Sequence, residues 1–532
     1  MSKTTAAHSP GLPAPIARLP LGTLIAGCLA VCLAQIGLAM PATLNGLFQE
    51  HLHPVGSQLT WISDAFLLPV AVLELSFGVL GDLFGRKRLL VGGAGLLCAG
   101  EIVAAGSSGV HQLWVGQALA GLGAAALFPT SLAMIAAGTP SGAQRARAIA
   151  VWASSLSAGG FLAPLLGGIT GTYGSWRSAF VVVAVLAAAS ALVSLLLATD
   201  SRAPEGRSLD IGGQITIGVG LFALLYAVIQ GPADGWASAS VVVAFVIAAV
   251  FLGLFVAAES RARSPLLRLD LFRNRSFAIA SVVAVVGMFS FLGTAYAASI
   301  RLGPIQHQSP MRTAFAFLLL SGITPFLTPL TSRLLHRVHA RVLLSSGLGL
   351  IAAGDFLAAT LAVDDMALTS LIVPLGLVGA GFALTVSSIT ATAVNAVPVH
   401  FAGMASASTN LLRDFGFTLG PAVIGAVALS QAASQVTASL ATSSLGAEAK
   451  GAAHEVLAEG GPLALNSVPP DSPPGAARSF ALDALGHGYS IGFVVCGCAA
   501  LFSALLVVVA LRGRTAEEPA PEKEAEAVPV TG

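Results

Sequence analysis

The sequence predicts an all-α membrane protein with fourteen transmembrane helices. Its 532 residues are 55% hydrophobic and only 10% charged, whereas soluble domains are about 25% charged. The mean hydropathy of +0.85 indicates the same class. A soluble chain of this length would divide into several domains, each with its own charged surface. The composition therefore excludes a soluble protein, and a net charge of +1 gives no electrostatic basis for binding nucleic acid.

Apolar runs separated by short polar breaks supply the predicted helices. A helix needs roughly 20 apolar residues to cross the hydrocarbon core of a bilayer, and fourteen runs meet this requirement. Because the number is even, both termini lie on the same side of the membrane. Numbered as spans 1 to 14, the runs are 22–42, 59–81, 89–107, 113–137, 146–170, 177–198, 211–229, 239–258, 277–297, 313–335, 341–362, 369–395, 401–430 and 488–511.

The distribution of basic residues predicts the orientation of the chain. Of the 26 Lys and Arg residues, 20 lie in the two tails or in breaks on the same side as the termini. Basic residues collect on the cytoplasmic side of membrane proteins. We therefore expect a multi-pass protein of the cytoplasmic (inner) membrane with both termini in the cytoplasm. Only 4 Lys against 22 Arg, with abundant Ala and Gly, indicates a GC-rich bacterial genome.

Three segments lie outside the predicted spans. Residues 1–21 form a polar cytoplasmic leader, and residues 512–532 form an acidic tail that we expect to be disordered. The external connection 431–487 is rich in Ala, Ser, Gly and Pro, which predicts a surface hairpin or a flexible loop. A short helix can form around Glu448 to Glu459, and paired prolines interrupt anything longer.

A glycine-containing basic turn joins spans 2 and 3. A residue without a Cβ accepts the backbone angles of a tight turn, and an Asp at the membrane edge can pair with a base or lie at a helix N-terminus. The turn resembles the cytoplasmic loop signature of the major facilitator superfamily. The residues of this gating motif are Gly78, Asp82, Gly85, Arg86 and Arg88.

Span 5 carries a second pattern, which resembles the antiporter motif of the same superfamily. Ala163 stands where that motif usually has Gly. Proline bends a helix, and glycines let a neighbouring helix approach closely. A role in the direction of transport and a bend that serves only packing remain alternatives. The motif residues are Gly159, Pro164, Gly167 and Gly168.

Nearly the whole chain resembles the fourteen-helix drug:proton antiporter family. The likeness is carried by the two motifs, by Ser175-Trp176-Arg177 before span 6, by the Glu259–Phe277 segment after span 8 and by Ala402-Gly403-Met404-Ala405-Ser406 at the start of span 13. The resemblance implies two six-helix bundles, an N-terminal one over 22–198 and a C-terminal one over 277–511. Two linker spans and their cytoplasmic loops then occupy 199–276. It also implies export by alternating access around a central cavity.

Two departures from that family concern proton coupling. The family carries an Asp in its first span and an Arg in its fourth, and both charges are associated with coupling. The corresponding positions here are Cys32 and Gln117. These replacements weaken the prediction of a standard proton antiport cycle and leave the predicted fold unchanged.

Few ionisable residues remain inside the predicted spans. Such a group costs at least ~2.5–3.5 kcal/mol at the centre of a bilayer, so it is a candidate functional residue. Glu74 shares a helical stripe with Gly78 and Asp82, which predicts that it faces the other bundle. Span 3 is peripheral in the superfamily, so its Glu101 and the similar Asp355 of span 11 are alternatively structural groups. The candidates for proton coupling are Asp64, Glu74, Glu101, Asp414 and Arg413.

By analogy with the family, spans 1, 4, 9 and 12 line the substrate cavity. Their residues are mostly apolar or small, which suits a hydrophobic or amphipathic substrate better than a sugar. Alternatively, their few polar residues only form hydrogen bonds between helices. These candidates are Gln35, Asn45, Gln117, Tyr296 and Asn395.

The sequence thus predicts a secondary transporter, with no cofactor and no enzymatic activity. Its histidines form no catalytic or metal-binding pattern, and it contains neither a Walker phosphate loop nor a nucleophile elbow. We expect a monomer that interacts with a small-molecule substrate, protons and the lipid bilayer. The main hypothesis is proton-coupled export. The alternatives are a uniporter or symporter that imports a small solute, and a membrane sensor or scaffold that has lost coupling.

Overall fold

The computed structural model describes residues 21–139, 142–203, 209–262, 265–335, 337–398 and 402–511. Within these ranges the secondary structure is helical and contains no strand. The predicted leader, apart from Leu21, and the predicted acidic tail 512–532 lie outside the described residues.

Fourteen helices of the described chain are long and apolar enough to span a membrane, which confirms the predicted number. Proline lies inside several of them, for example Pro69, Pro129 and Pro164. The spans are Leu21–Thr43, Gln58–Phe84, Arg86–Ala105, Val110–Ala137, Gln144–Tyr173, Trp176–Leu197, Ile211–Asp234, Ala239–Glu259, Arg275–Ile305, Pro310–Leu335, Ala340–Ala359, Thr369–Asn395, Met404–Thr442 and Pro473–Ala510.

The connection predicted as a hairpin or flexible loop over 431–487 is mostly helical, so that prediction was wrong in extent. Span 13 continues to Thr442, and a separate helix follows at Ala447–Ser467. A short helix, Asn45–Leu52, follows span 1 on the same side of the molecule as the helix Ala447–Ser467. The extension of span 13 holds because Val436 and Leu440 are fully buried in the same apolar cluster as Ala453 of the separate helix. Burial of this stripe stabilises a helix that composition alone does not distinguish from a loop.

The spans end at two opposite faces of the molecule. The terminal face holds Leu21, the Gly85 turn and Leu511, where the described chain begins, turns and ends. The capped face holds the helices Asn45–Leu52 and Ala447–Ser467. Spans 1 to 6 are called the N-terminal bundle and spans 9 to 14 the C-terminal bundle.

The third span of each bundle has a buried carboxyl group at the same place. Glu101 is 15 residues after Arg86, and Asp355 is 15 residues after Ala340. The preceding glycines, Gly100 and Gly354, both pack directly on the backbone of the following span. This equivalence indicates that the two bundles are built on one repeated arrangement of helices.

Spans 7 and 8 lie outside the bundles, against the seam between spans 2 and 13. Leu221, Leu225 and Ile229 of span 7 form an apolar cluster with Ala71 of span 2 and Ala422 of span 13. Hydrogen bonds tie span 7 to the N-terminal bundle. They join Ser57 to Gln230, Ser76 to Gln214, and Gln214 to the carbonyl of Val72.

The gating motif forms a compact structure at the terminal face. Arg86 donates to Asp82 Oδ1 through Nε at 3.0 Å and through Nη2 at 2.6 Å. Gly85 has a φ of +111°, and the Asp200 carboxylate lies 3.0 Å from the place that a Cβ would take. Gly78 packs near Pro129 of span 4, and Arg88 is exposed. The turn therefore needs glycine for both its backbone angles and its close packing.

We expect Gly85→Ala to lower the stability of the purified protein. A left-handed backbone costs a residue with a Cβ about 1–3 kcal/mol, and the added methyl group meets Asp200. Thermal unfolding in detergent measures the effect. Gly349→Ala is the matched control, since a Cβ there meets nothing within 4 Å. Equal midpoints for the two variants would contradict the prediction.

Candidate transport cavity and its carboxyl pair

A cavity of about 220 Å³ lies between the two bundles, near the middle of the spans. Its wall is mainly aromatic and aliphatic, with scattered hydroxyl and amide groups. Phe291 and Phe382 stack there with their ring centroids 3.7 Å apart. The wall includes Leu38, Phe66, Leu67, Leu156, Ser157, Phe291, Phe317, Ser321, Phe382, Arg413 and Phe417.

Four of the five predicted cavity residues line this space: Gln35, Asn45, Gln117 and Tyr296. Asn395 does not. It is the last residue of span 12, at the terminal face, and its side chain is exposed. A polar residue at a helix end faces water as readily as a cavity, and the sequence pattern does not distinguish the two.

A second cavity of about 300 Å³ extends from the first toward the terminal face. Both are lined by Gln35, Leu67, Leu156, Arg413 and Phe417, so the two form a continuous path. The second also has Glu74, Trp152, Asn410 and Asp414 in its wall. The charged groups of the path therefore lie on its terminal side.

Glu74 and Asp414 form a carboxyl pair across the interface between the two bundles. Their carboxyl groups lie close enough to interact with each other. Glu74 belongs to span 2 and Asp414 to span 13, and both side chains are partly exposed on the cavity wall. Two carboxyl groups in contact can hold one proton between them. The pair is thus a candidate proton-binding site to which both halves of the molecule contribute.

Arg413 supplies the positive charge near this pair. It interacts electrostatically with both Glu74 and Asp414. Its side chain reaches both cavities, and its Nε has no hydrogen-bond partner among the described residues. Successive helical residues point about 100° apart. Asp414 can therefore face Glu74 while the adjacent Arg413 faces the cavity.

The other buried acids are separate from this pair. Asp64, Glu101 and Asp355 are all 0% exposed, and none is in the wall of either cavity. Asp355 accepts hydrogen bonds from Thr294 Oγ1 at 2.6 Å and Ser290 Oγ at 3.3 Å. The oxygens of Asp64 and Glu101 have no hydrogen-bond partner among the described residues. Glu101 Oε1 lies 3.2 Å from the place of a Cβ on Gly37 of span 1.

The glycines of the span 5 motif allow close contacts with two other helices. A Cβ on Gly159 would lie 2.5 Å from the carbonyl of Cys32, and one on Gly167 would lie 3.2 Å from that of Met40. Both contacts are with span 1. A Cβ on Gly168 would lie 2.5 Å from Ala314 Cβ in span 10. The motif therefore packs the N-terminal bundle internally and also against the C-terminal bundle.

At the two positions where the family pattern has charged residues, this chain has Cys32 and Gln117. Cys32 is partly buried, and its carbonyl contacts Gly159. Gln117 is 0% exposed, lines the central cavity and has no hydrogen-bond partner for either amide atom among the described residues. Both amide atoms are buried in this conformation.

Sequence reasoning did not find the aromatic side chains of the cavity or the hydrogen bonds that close the capped face. Phe291 and Phe382 lie in spans that are apolar on every face, so no sequence period marks the side that faces the cavity. Thr60 and Ser299 are single hydroxyl residues in long apolar helices. Only the packing of the bundles brings Thr60 to Tyr296, at 2.7 Å between their hydroxyl oxygens, and Ser299 to Asn45, at 2.8 Å.

Comparison with known proteins decides the family. The family model described as "Major Facilitator Superfamily" matches residues 26–421, which is most of the chain. The chain belongs to the major facilitator superfamily. No group of three or more His, Cys, Asp or Glu side chains that could hold a metal ion occurs among the described residues of this superfamily member.

Its curated relatives are drug efflux and resistance proteins. It is 34% identical over 369 residues to the multidrug resistance protein Stp of Mycobacterium tuberculosis, covering 69% of this chain and 68% of Stp. It is 29% identical over 513 residues to the tetracenomycin C resistance and export protein of Streptomyces glaucescens, covering 95% of this chain and 94% of that protein.

Solved structures of transporters share the fold. A bacterial homologue of the human lysosomal transporter Spinster, in an inward-facing and unoccupied conformation, matches with a TM-score of 0.64 at 16% identity, covering 94% of this chain and 98% of that one. A POT family transporter in complex with 5-aminolevulinic acid matches with a TM-score of 0.61 at 12% identity, covering 92% and 95%. These superfamily structures support the helical architecture alone.

Proposed function

We propose that this protein exports hydrophobic or amphipathic small molecules from a bacterial cytoplasm by alternating access, in exchange for protons. The observation that carries the proposal is the Glu74–Asp414 carboxyl pair, which lies between the two bundles on the wall of the cavity. The names of the relatives, multidrug resistance and tetracenomycin C export, support the direction and the class of substrate.

The orientation of the cavity is part of this proposal. The excess of basic residues on the terminal side supports a cytoplasmic location for the terminal face and both chain ends. The helices of the two bundles are joined at the capped face, while the cavity extends toward the terminal face. The described conformation is then inward-facing, with the carboxyl pair on the path to the cytoplasm.

Substrate and proton are coupled because the carboxyl pair and the substrate share one region of the cavity. When the pair releases its proton, two carboxylates face each other, and like charges in contact repel. Arg413 can neutralise one of them, and water or a polar group of the substrate must solvate the other. Because Arg413 and Phe417 line both cavities, a bound substrate changes the surroundings of the pair. Substrate and proton therefore compete for one region, as antiport requires.

The cavity wall supports an amphipathic substrate. Phe66, Phe291, Phe317, Phe382 and Phe417 present aromatic surface, and Gln117 adds to the wall an amide that has no partner among the described residues. A sugar would need a partner for each of several hydroxyl groups. The wall instead suits an apolar molecule with a few polar groups.

Everted membrane vesicles test the proposed function, with ethidium as the amphipathic probe. We expect an acid-inside gradient to drive ethidium into the vesicles and a protonophore to abolish the uptake. Uptake that a protonophore leaves unchanged would indicate uniport and contradict proton coupling. Co-movement of protons with ethidium would indicate symport. Purified protein in liposomes that moves no probe under an imposed pH gradient would favour the sensor or scaffold hypothesis.

A further inference from the structure

Asp64 is a buried acid that the proposed coupling mechanism does not use. It lies in span 2, four residues after Thr60, with which it shares a helix face, and ten before Glu74, which points about 80° away. At ~1.5 Å per residue, Asp64 lies about 15 Å from Glu74 along the axis, toward the capped face. One helix therefore carries two acids, one on each side of the central cavity.

The surroundings of Asp64 belong to the closure of the capped face. Thr60, one turn from Asp64, shares a hydrogen bond of 2.7 Å with the hydroxyl of Tyr296 in the C-terminal bundle. Tyr296 interacts electrostatically with Asp64, and the Tyr489 hydroxyl lies beside that of Tyr296. Gly425 of span 13 completes the contact, since a Cβ there would lie 2.8 Å from Thr60 Oγ1.

Asp64 itself makes no hydrogen bond in this closed arrangement. The side chain is 0% exposed, and both carboxyl oxygens are without a partner among the described residues. Burying an ionised carboxylate with neither a counter-charge nor a donor costs several kcal/mol. The closed face therefore holds Asp64 in its neutral form. If span 2 separated from span 9, water would reach the carboxyl group of Asp64. Hydration would then lower the free-energy cost of ionising it.

We propose that Asp64 is a second proton-binding group, distinct from the Glu74–Asp414 pair, whose protonation locks the capped face shut. In an outward-open state, an external proton neutralises Asp64 and lets Thr60 and Tyr296 come together again. Ionised Asp64 holds the face open. Proton binding from outside would thus reset the transporter to the inward-facing state. The proposal rests on the proposed function only for the existence of an outward-open state.

Other titratable groups lie on the elements around Asp64. Span 1 has no acidic or basic residue. Burial, and then the nearby Arg478, lower the pKa of His307 on the capped face. The remaining groups, from the elements packed against span 2, are Tyr296 of span 9, Tyr489 of span 14, Glu101 of span 3, exposed His111 of span 4, exposed Asp234 of span 7, Glu50 and His51 of the helix Asn45–Leu52, and Arg413 and Asp414 of span 13.

Cysteine labelling from outside intact cells tests the lock. The reporter is Ala42→Cys in the cavity wall, and the reagent is a membrane-impermeant maleimide. The protein without the reporter gives the background of the five native cysteines. Because a maleimide reacts with the thiolate form of cysteine, each labelling rate is divided by that of the exposed Ala447→Cys variant at the same pH. We expect this ratio to rise with external pH between 5.5 and 8, by up to about tenfold per pH unit, the limit for one proton. A ratio that does not change with pH would overturn the proposal.

Variants identify the titrating group. Asp64→Asn should give a low ratio at every pH, and Asp64→Glu should restore the pH dependence of the ratio. Glu74→Gln and His307→Gln should keep it. Tyr296→Phe should raise labelling throughout, which gives a second test if Asp64→Asn does not fold. Retention of pH dependence in folded Asp64→Asn, or its loss in His307→Gln, would overturn the assignment. Labelling needs no substrate, so failure here is distinguishable from failure of proton-coupled export.

Discussion

Glu74→Gln and Asp414→Asn, each made alone, are expected to abolish uptake of ethidium driven by a pH gradient. The amide substitutes keep the size of the side chain and can still hydrogen-bond to the remaining carboxyl group. They cannot release a proton. Each variant should therefore still bind the probe and exchange it across the membrane without a gradient. The loss should be confined to the gradient-driven accumulation.

Glu101→Gln is the matched control for this prediction. Glu101 is also a carboxyl group inside a span, but it is fully buried and away from both cavities. We expect Glu101→Gln to retain gradient-driven uptake. The assays are uptake by everted vesicles with and without an acid interior, and binding to the purified protein. If Glu74→Gln and Asp414→Asn both retained gradient-driven uptake, the carboxyl pair would not carry the coupling proton.

Gly303→Ala is expected to shift the protein toward an outward-open state. Gly303 of span 9 meets Gly46 of the helix Asn45–Leu52 backbone to backbone. A Cβ on Gly303 would lie 2.7 Å from the Gly46 nitrogen and 3.0 Å from its Cα. Overpacking of this kind costs about 1–3 kcal/mol. Because the contact joins the two bundles, opening the capped face relieves the clash, and the balance of states should move by about 5- to 150-fold.

The same Ala42→Cys reporter measures this shift, as faster labelling from outside the cell. Gly92→Ala is the control, because a Cβ at Gly92 meets nothing within 4 Å. Transport by Gly303→Ala should fall, since the inward-facing state becomes rare. Labelling at the rate of the control, in a folded Gly303→Ala protein, would show that the capped face does not open at this contact.

Several parts of the site were accessible from the sequence. The stripe of Glu74, Gly78 and Asp82 placed Glu74 toward the other bundle, because residues four apart on a helix share a face. Ionisable residues stand out in apolar spans, so the members of the carboxyl pair could be named. Their partnership could not, since the two residues are 340 positions apart in the chain.

The sequence by itself determined the class of the protein, its fourteen spans and its superfamily. These depend on local quantities, namely the length of apolar runs, the placement of basic residues and short motifs around glycine and proline. The tertiary structure decided which acids meet, which line the cavity and which face of the molecule is closed. Every face of an apolar span can lie against lipid or against another helix at similar cost. Composition therefore does not mark the interior. Only the packing of the two bundles brought Glu74 to Asp414 and left Asp64 without a hydrogen-bond partner among the described residues.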